Sequence, residues 1–157
     1  MQSVEAVSVL ARTVGFMALT IPEREQFLSE PHIAARSVEA EGGRAPLTIP
    51  IWYQYTPGEK PWVLTGTGSR KLGLIRAAGR FTLMVDRVEP TLRYVAVSGA
   101  VVDYVDGTRD DLREMAARYL PEEKVGPYVE MAEREHGPQT RVTLDPQQWL
   151  SVDLGNI

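Results

Sequence analysis

The sequence predicts a mainly β (α+β) protein, in which an antiparallel sheet of about six strands curls into a small barrel with peripheral helices. Three observations lead to this fold class. Apolar and polar residues alternate in several short runs, as in half-buried strands. Turn residues join neighbouring runs, which is typical of hairpins. Hairpins with few parallel crossovers imply an antiparallel sheet, and a sheet that closes into a barrel protects its own edges.

The first elements follow from local signals. Thr20-Ile-Pro-Glu23 is a capping box with proline in the first turn, and it predicts a helix to about Ser29. Alternation over residues 33–38 predicts a first strand, and Glu41-Gly-Gly43 supplies a turn. Pro50 lies inside the second predicted strand, which is therefore expected at an edge or bulged. One face of that strand is predicted to carry Leu47, Ile49, Ile51, Tyr53 and Tyr55.

The middle of the chain alternates strand, helix and strand. Pro61 to Thr65 is predicted as the third strand. A short helix opens at Ser69 and ends at Gly79, because Leu72, Ile75 and Ala78 recur at helical spacing. The fourth strand is predicted from the alternation of Phe81, Leu83 and Val85.

The last third is predicted to hold one long strand, two helices and two closing strands. The long strand runs from Leu92 to Val105, and a bulge is expected at Ser98-Gly99. The helices are predicted to end near Leu120 and His136. Residues 140–144 and 148–154 are predicted as the closing strands.

Length and composition limit the function classes. At 157 residues the chain is predicted to be one domain, 1–157, with an N-terminal extension at 1–21 and a core at about 22–154. The apolar stretch from Val4 to Leu19 is interrupted by charges and is too short to span a bilayer, so we expect a helix that packs on the body or on a partner subunit. The net charge of −4 argues against a nucleic-acid binder. The absence of cysteine excludes disulfides and thiolate nucleophiles and fits a cytoplasmic protein.

The stretch from Trp62 to Lys71 is the strongest functional signal. A strand ends at Thr65, two glycines follow, and Ser69, Arg70 and Lys71 open a helix. The first amides of a helix lack intrahelical partners and its dipole favours negative charge, so a hydroxyl and two cations there are suited to a phosphate. A purely structural N-cap is the alternative. Two cations in the first turn oppose the helix dipole, which argues against that alternative unless an anion compensates them.

The sequence contains few motifs for other kinds of binding site or catalysis. A P-loop needs glycine before the lysine, and a dinucleotide fingerprint needs glycine at Lys71, so neither motif is present. His32 and His136 lack the spacing of metal ligands, so no metal site is expected and both are interpreted as surface or capping residues. No GxSxG elbow is present. A phosphate site with few acid or base groups suggests chemistry that a bound cofactor supplies.

The aromatic residues Trp52, Tyr53, Tyr55 and Trp62 predict packing in the core or at an interface. Together they are more large apolar side chains than one small core readily covers. They therefore predict a contact between two copies of the chain.

These residues resemble a known family. Leu64-Thr-Gly-Thr-Gly-Ser-Arg-Lys71 is similar to the FMN-phosphate motif of the pyridoxamine 5′-phosphate oxidase family, and Pro46 to Tyr53 resembles the strand that lies against the flavin ring in its split-barrel relatives. The order of elements agrees over roughly residues 22–105. The short flavin- and deazaflavin-dependent oxidoreductases are the more similar branch. Trp149 to Asp153 stands where true pyridoxamine phosphate oxidases carry basic substrate-binding residues, so that activity is not expected.

The resemblance implies a six-stranded split β-barrel, a homodimer with cofactor sites at its interface, and either FMN or coenzyme F420 as the cofactor. The implied cofactor-binding residues are Thr48, Ile49, Pro50, Ile51, Thr65, Ser69, Arg70 and Lys71. The implied activity is hydride transfer to or from a small organic substrate, with no catalytic side chain identified. Two alternatives remain open: a protein that binds or delivers the cofactor without catalysis, and a small ligand-binding barrel without flavin.

Overall fold

Seven strands form one antiparallel sheet in residues 18–155, which are the residues that the computed structural model describes. The strands are β1 (Ala34–Val38), β2 (Leu47–Ile51), β3 (Trp62–Gly66), β4 (Arg80–Arg87), β5 (Arg93–Asp106), β6 (Gln139–Leu144) and β7 (Gln148–Asp153). The helices of this part are α1 (Ile21–Ser29), α2 (Arg70–Ala78), α3 (Arg109–Tyr119) and α4 (Glu122–His136). The mainly β fold with peripheral helices is confirmed. The packing predicted for Val4 to Leu19 lies almost entirely outside the described residues.

Six strands follow one curled path, in the order β2-β1-β4-β5-β6-β3. The two ends of the path approach each other where the chain leaves β2, because Gln54 and Trp62 pair through two backbone hydrogen bonds of 2.9 and 3.0 Å. The sheet is therefore a half-closed barrel. The seventh strand, β7, lies beside β5 and off this path.

The long strand β5 serves both halves of the barrel. Its first part, Arg93–Ser98, pairs with β7, and its second part, Val101–Asp106, pairs with β6. Gly99 lies at the change of partner, and a Cβ atom there would come within 1.8 Å of the carbonyl oxygen of Asp145. The bulge expected at Ser98-Gly99 lies instead between Val101 and Asp103. Glycine is needed at position 99 for the close approach of the β6–β7 turn rather than for a bulge.

The second strand is shorter than predicted. It ends at Ile51 rather than at Tyr55, and the backbone N–H of Tyr53 donates to the hydroxyl of Tyr119 on α3 at 3.1 Å. Tyr53 and Tyr55 nevertheless point inward and are buried in the barrel core. Pro50 is tolerated because β2 is an edge strand, as predicted, and pairs only with β1 in the described sheet.

The helix boundaries follow the local capping signals. Thr20 and Glu23 form the expected capping box of α1, and Thr108 and Asp111 form another at α3. Gly79 ends α2 with a φ of 69°, a conformation that glycine adopts without strain. The helices α3 and α4 pack against each other through Ala116, Val125 and Val129, in a second apolar cluster.

Candidate functional site

The start of α2 is built as the sequence predicts. Ser69 is the N-cap, and its Oγ accepts a hydrogen bond from the N–H of Leu72 at 3.2 Å and donates to the carbonyl of Gly66 at 2.7 Å. These bonds hold the loop after β3 against the first turn. The N–H groups of Arg70 and Lys71 have no intrahelical acceptor, because they precede the first helical hydrogen bond. These two amides and the cationic side chains of Arg70 and Lys71 are therefore available to an anion, whereas the Ser69 hydroxyl proton is used in the bond to Gly66.

The positive charges of Arg70 and Lys71 have no anionic partner in the described part of the chain. Arg70 and Lys71 are exposed, and neither forms an ion pair within residues 18–155. No acidic residue lies in the first turn of α2. Cations at the positive end of a helix dipole are unfavourable by a few tenths of a kcal/mol each. A bound anion would remove this unfavourable interaction, because the two cations and the helix dipole would all attract it.

The other predicted contact is the edge strand β2. Thr48 and Pro50 are exposed on its outer face, and Ile49 and Ile51 are half-buried on the face towards the core. The hydroxyl of Thr48 donates to Ser37 Oγ at 3.2 Å. Because β2 pairs on one side only within the described sheet, its other side presents free backbone groups to a ligand.

Thr65 is placed differently from the other predicted residues. It pairs with Thr140 in β3 and is only 6% exposed. Its side chain therefore has little access to a ligand at the surface, and any contact with a cofactor would come from its backbone. The neighbouring Thr67 is exposed instead, and its hydroxyl shares a 3.0 Å hydrogen bond with the hydroxyl of Thr140.

A cavity of about 390 Å³ adjoins the end of β2. Pro50, Ile51 and Trp52 form one wall, and the helices α3 and α4 form the opposite wall through Leu112, Met115 and Tyr128. His136, at the end of α4, also lines it. This helical wall was not predicted from the sequence, and His136 was expected to be a surface or capping residue. No local signal connects these helices with β2, since they are distant in sequence.

Ser69, Arg70 and Lys71 do not line this cavity. The chain thus separates a cationic helix end from an apolar cavity beside the edge strand. The two features therefore suit different chemical groups, an anion at the helix end and an uncharged, mainly apolar group in the cavity.

The aromatic residues are largely accounted for within one chain. Tyr53 is 0%, Tyr55 3% and Trp62 5% exposed. Trp52 stacks on Tyr119, with ring centroids 4.7 Å apart and planes 15° apart. The premise that one chain cannot cover these aromatic residues is therefore wrong, and the contact between two copies stays a prediction that needs other support. Burial raises the pKa of Tyr53, and it raises that of Tyr55 to about 12, so both hydroxyls stay protonated.

The two histidines have different surroundings. The Nε2 atom of His32 lies 3.0 Å from the carbonyl oxygen of Phe27 and 3.3 Å from a carboxylate oxygen of Glu30, so this ring caps the end of α1. His136 is exposed and lines the cavity. Within residues 18–155 no three His, Asp or Glu side chains gather as metal ligands.

One buried cation has no visible compensation. Arg36 on β1 lies opposite Leu83 and is 0% exposed, and none of its guanidinium nitrogens has a hydrogen-bond partner within residues 18–155. Burial lowers its pKa from the ordinary value. A side chain with this charge in an apolar core reduces stability.

No helix in the described part of the chain has both the length and the apolar character needed to cross a membrane. No protein-family model and no curated protein matches the chain.

Solved structures do match it. A conserved hypothetical protein from Mycobacterium tuberculosis is 19% identical, with a TM-score of 0.67 over 87% of this chain and 86% of its own. An F420 reductase is 19% identical, with a TM-score of 0.55 over 80% of this chain and 94% of its own. A pyridoxinephosphate oxidase family protein from Clostridium acetobutylicum is 14% identical, with a TM-score of 0.60 over 87% and 91%. These likenesses confirm the split-barrel fold expected from the resemblance.

Proposed function

We propose that this chain is an oxidoreductase that binds coenzyme F420 or FMN and transfers hydride to or from a small organic substrate. One observation carries the proposal: the strand β3 leads into a helix whose first turn holds two exposed cations without anionic partners in the described chain. The likeness to an F420 reductase and to a pyridoxinephosphate oxidase family protein supports it, since both share the fold. The absence of cysteine fits a cytoplasmic protein.

The residues fit a phosphorylated flavin-type cofactor. Arg70 and Lys71 would hold the phosphate by charge-assisted hydrogen bonds and through the free amides of α2, and Ser69 would fix the first turn of the helix beneath it. The free edge of Thr48 to Ile51 would lie against the ring. The cofactor, when bound, supplies the hydride chemistry. The protein's own contribution is to fix the ring against a rigid strand and to exclude water from the adjoining apolar cavity.

A homodimer is part of the proposal, on different grounds from the aromatic residues. Five outward-facing residues, one from each of five neighbouring strands, lie side by side in a row: Pro50, Ala35, Met84, Ala96 and Leu150. Met84 is 36% and Leu150 51% exposed, and no charged residue interrupts the row. An exposed apolar row of this kind fits contact with a second copy of the chain. Because the row begins at Pro50, the second copy would cover the strand proposed to face the ring.

The test is a pair of titrations, with FMN and with F420, on matched variants. Arg70→Ala combined with Lys71→Ala should weaken binding of the true cofactor by at least about a hundredfold, because each charge-assisted contact is worth roughly 1.5–3 kcal/mol. Arg113→Ala combined with Lys124→Ala removes the same charge from exposed positions on α3 and α4 and should leave binding within about twofold. Equal dissociation constants for the two double variants would remove the central claim.

A turnover assay distinguishes an enzyme from a protein that only binds the cofactor. Consumption of reduced cofactor in proportion to an added acceptor supports the oxidoreductase. Tight, stoichiometric binding without consumption across a broad panel of acceptors would instead support a protein that stores or delivers the cofactor. A protein that binds neither cofactor would support the third possibility, a ligand-binding barrel without flavin.

A further inference from the structure

A groove runs beneath the hairpin of α3 and α4. It consists of the 390 Å³ cavity beside β2 and a second cavity of about 300 Å³. The two adjoin, because Leu64, Leu112 and Gln139 line both. The groove therefore extends from the end of β2, over the outer side of β3, to the loop before α3.

The larger part of the groove carries no lysine, arginine, aspartate or glutamate in its lining. Its polar side-chain groups are those of His136 and Gln139, the indole N–H of Trp52 and the hydroxyl of Tyr128. Burial raises the pKa of Tyr128, so this hydroxyl is neutral near physiological pH. In the smaller part, Arg109 and Glu133 neutralise each other in an ion pair.

The ring of Trp52, on the β2 side of the groove, is held in place. Trp52 stacks on Tyr119 and lies 5.3 Å from Tyr128, centroid to centroid. The hydroxyl of Tyr119 in turn donates to the carbonyl of His32 at 2.8 Å. A fixed aromatic ring in the wall favours a flat partner, because that ring loses little freedom on binding.

We propose that this groove is the substrate site, and that it takes a neutral, flat and mainly apolar molecule whose hydrogen-bond acceptor contacts His136 or Gln139. That the ligand is a substrate depends on the proposed function, whereas its chemical class follows from the groove alone. A charged ligand would lose its hydration here without a countercharge, which disfavours it strongly. The cations Arg70 and Lys71 lie outside the groove and remain free for the cofactor.

The neutral planar dye Nile red is a suitable probe, since its emission rises in an apolar site. Dye binding should be saturable at one site per chain. Leu112→Trp fills the groove from α3 and should weaken binding at least tenfold. Ala117→Trp adds the same ring to the exposed side of that helix and should change it less than twofold. His136→Ala should weaken binding about three- to tenfold, as expected for one hydrogen bond.

Thermal melts establish that each variant is folded, and Leu112→Phe replaces Leu112→Trp if the larger ring disrupts the hairpin. Equal dye affinities in the Leu112 and Ala117 variants would overturn the inference. Competitive displacement of the dye by FMN or F420 would also overturn it, because the groove would then be the ring's own site. Normal cofactor binding without dye binding contradicts this inference alone. Dye binding without cofactor binding contradicts the proposed function and leaves the neutral-ligand site standing.

Discussion

Arg118 on α3 should be among the most important polar side chains for stability. Its guanidinium donates to three carbonyls at the end of α1, those of Ser29 at 2.6 Å, Glu30 at 2.7 Å and Leu28 at 3.3 Å. It also lies over the ring of Tyr53 at 4.7 Å. The last turn of α1 holds no basic residue of its own, so Arg118 supplies the cation that the helix dipole favours there.

The magnitude follows from these contacts. Hydrogen bonds from a charged donor contribute roughly 1.5–3 kcal/mol each, and two of the three bonds to the helix end are short. Arg118 is half-buried, so water can partly replace it. Arg118→Met should therefore lower the free energy of unfolding by about 3–4 kcal/mol. Arg118→Lys keeps the charge but loses the planar fork, and should cost roughly half as much.

Urea unfolding followed by tryptophan fluorescence measures these changes, and thermal melts should show a drop of about 2–4 °C per kcal/mol for a domain of this size. Arg113→Met is the matched control, because Arg113 is exposed on the same helix. It should stay within about 0.5 kcal/mol of the unmodified protein. If Arg118→Met destabilises the protein no more than Arg113→Met does, the assignment of Arg118 as the cap of α1 is wrong.

Three further outcomes are expected. Arg36→Met should raise the melting temperature, because it removes a buried charge that has no partner in the described residues. Such replacements raise stability by about 1–4 kcal/mol in comparable cases. A fall in the melting temperature would mean that a ligand, or a part of the chain outside the described residues, compensates the charge. Met84→Glu combined with Leu150→Glu should convert a dimer of the 17.5 kDa chain into monomers in sedimentation experiments, and a dimer that survives would place the interface elsewhere. Asp153 loses hydration on burial, but hydrogen bonds from the Gly155 N–H, Arg93 and Thr91 outweigh this and lower its pKa below the usual 3.8. Its stabilisation is therefore present above about pH 4 and lost as the pH falls through the lowered pKa, so Asp153→Asn should flatten the acid limb of a stability-against-pH curve.

The sequence by itself determined the local features of this protein. The capping box of α1, the N-cap at Ser69 and the end of α2 at Gly79 each depend on residues within about one helical turn, so their signals survive in a linear reading. Strand alternation likewise identified which residues of β4 face the core. The candidate phosphate site was predictable for the same reason, since a strand end, a turn and a helix start are consecutive in the chain.

Tertiary structure decided what depends on distant residues. Arg118 reaches the carbonyl of Leu28 across 90 positions, and no pattern near either residue announces the contact. His136 meets Pro50 in one cavity only because α4 folds back over the end of β2. The aromatic residues looked too numerous for one core, yet the curled sheet buries Tyr53 and Trp62 almost completely within one chain. Periodicity records which face of an element is apolar, whereas the packing of elements determines what covers that face and which side chains share a site.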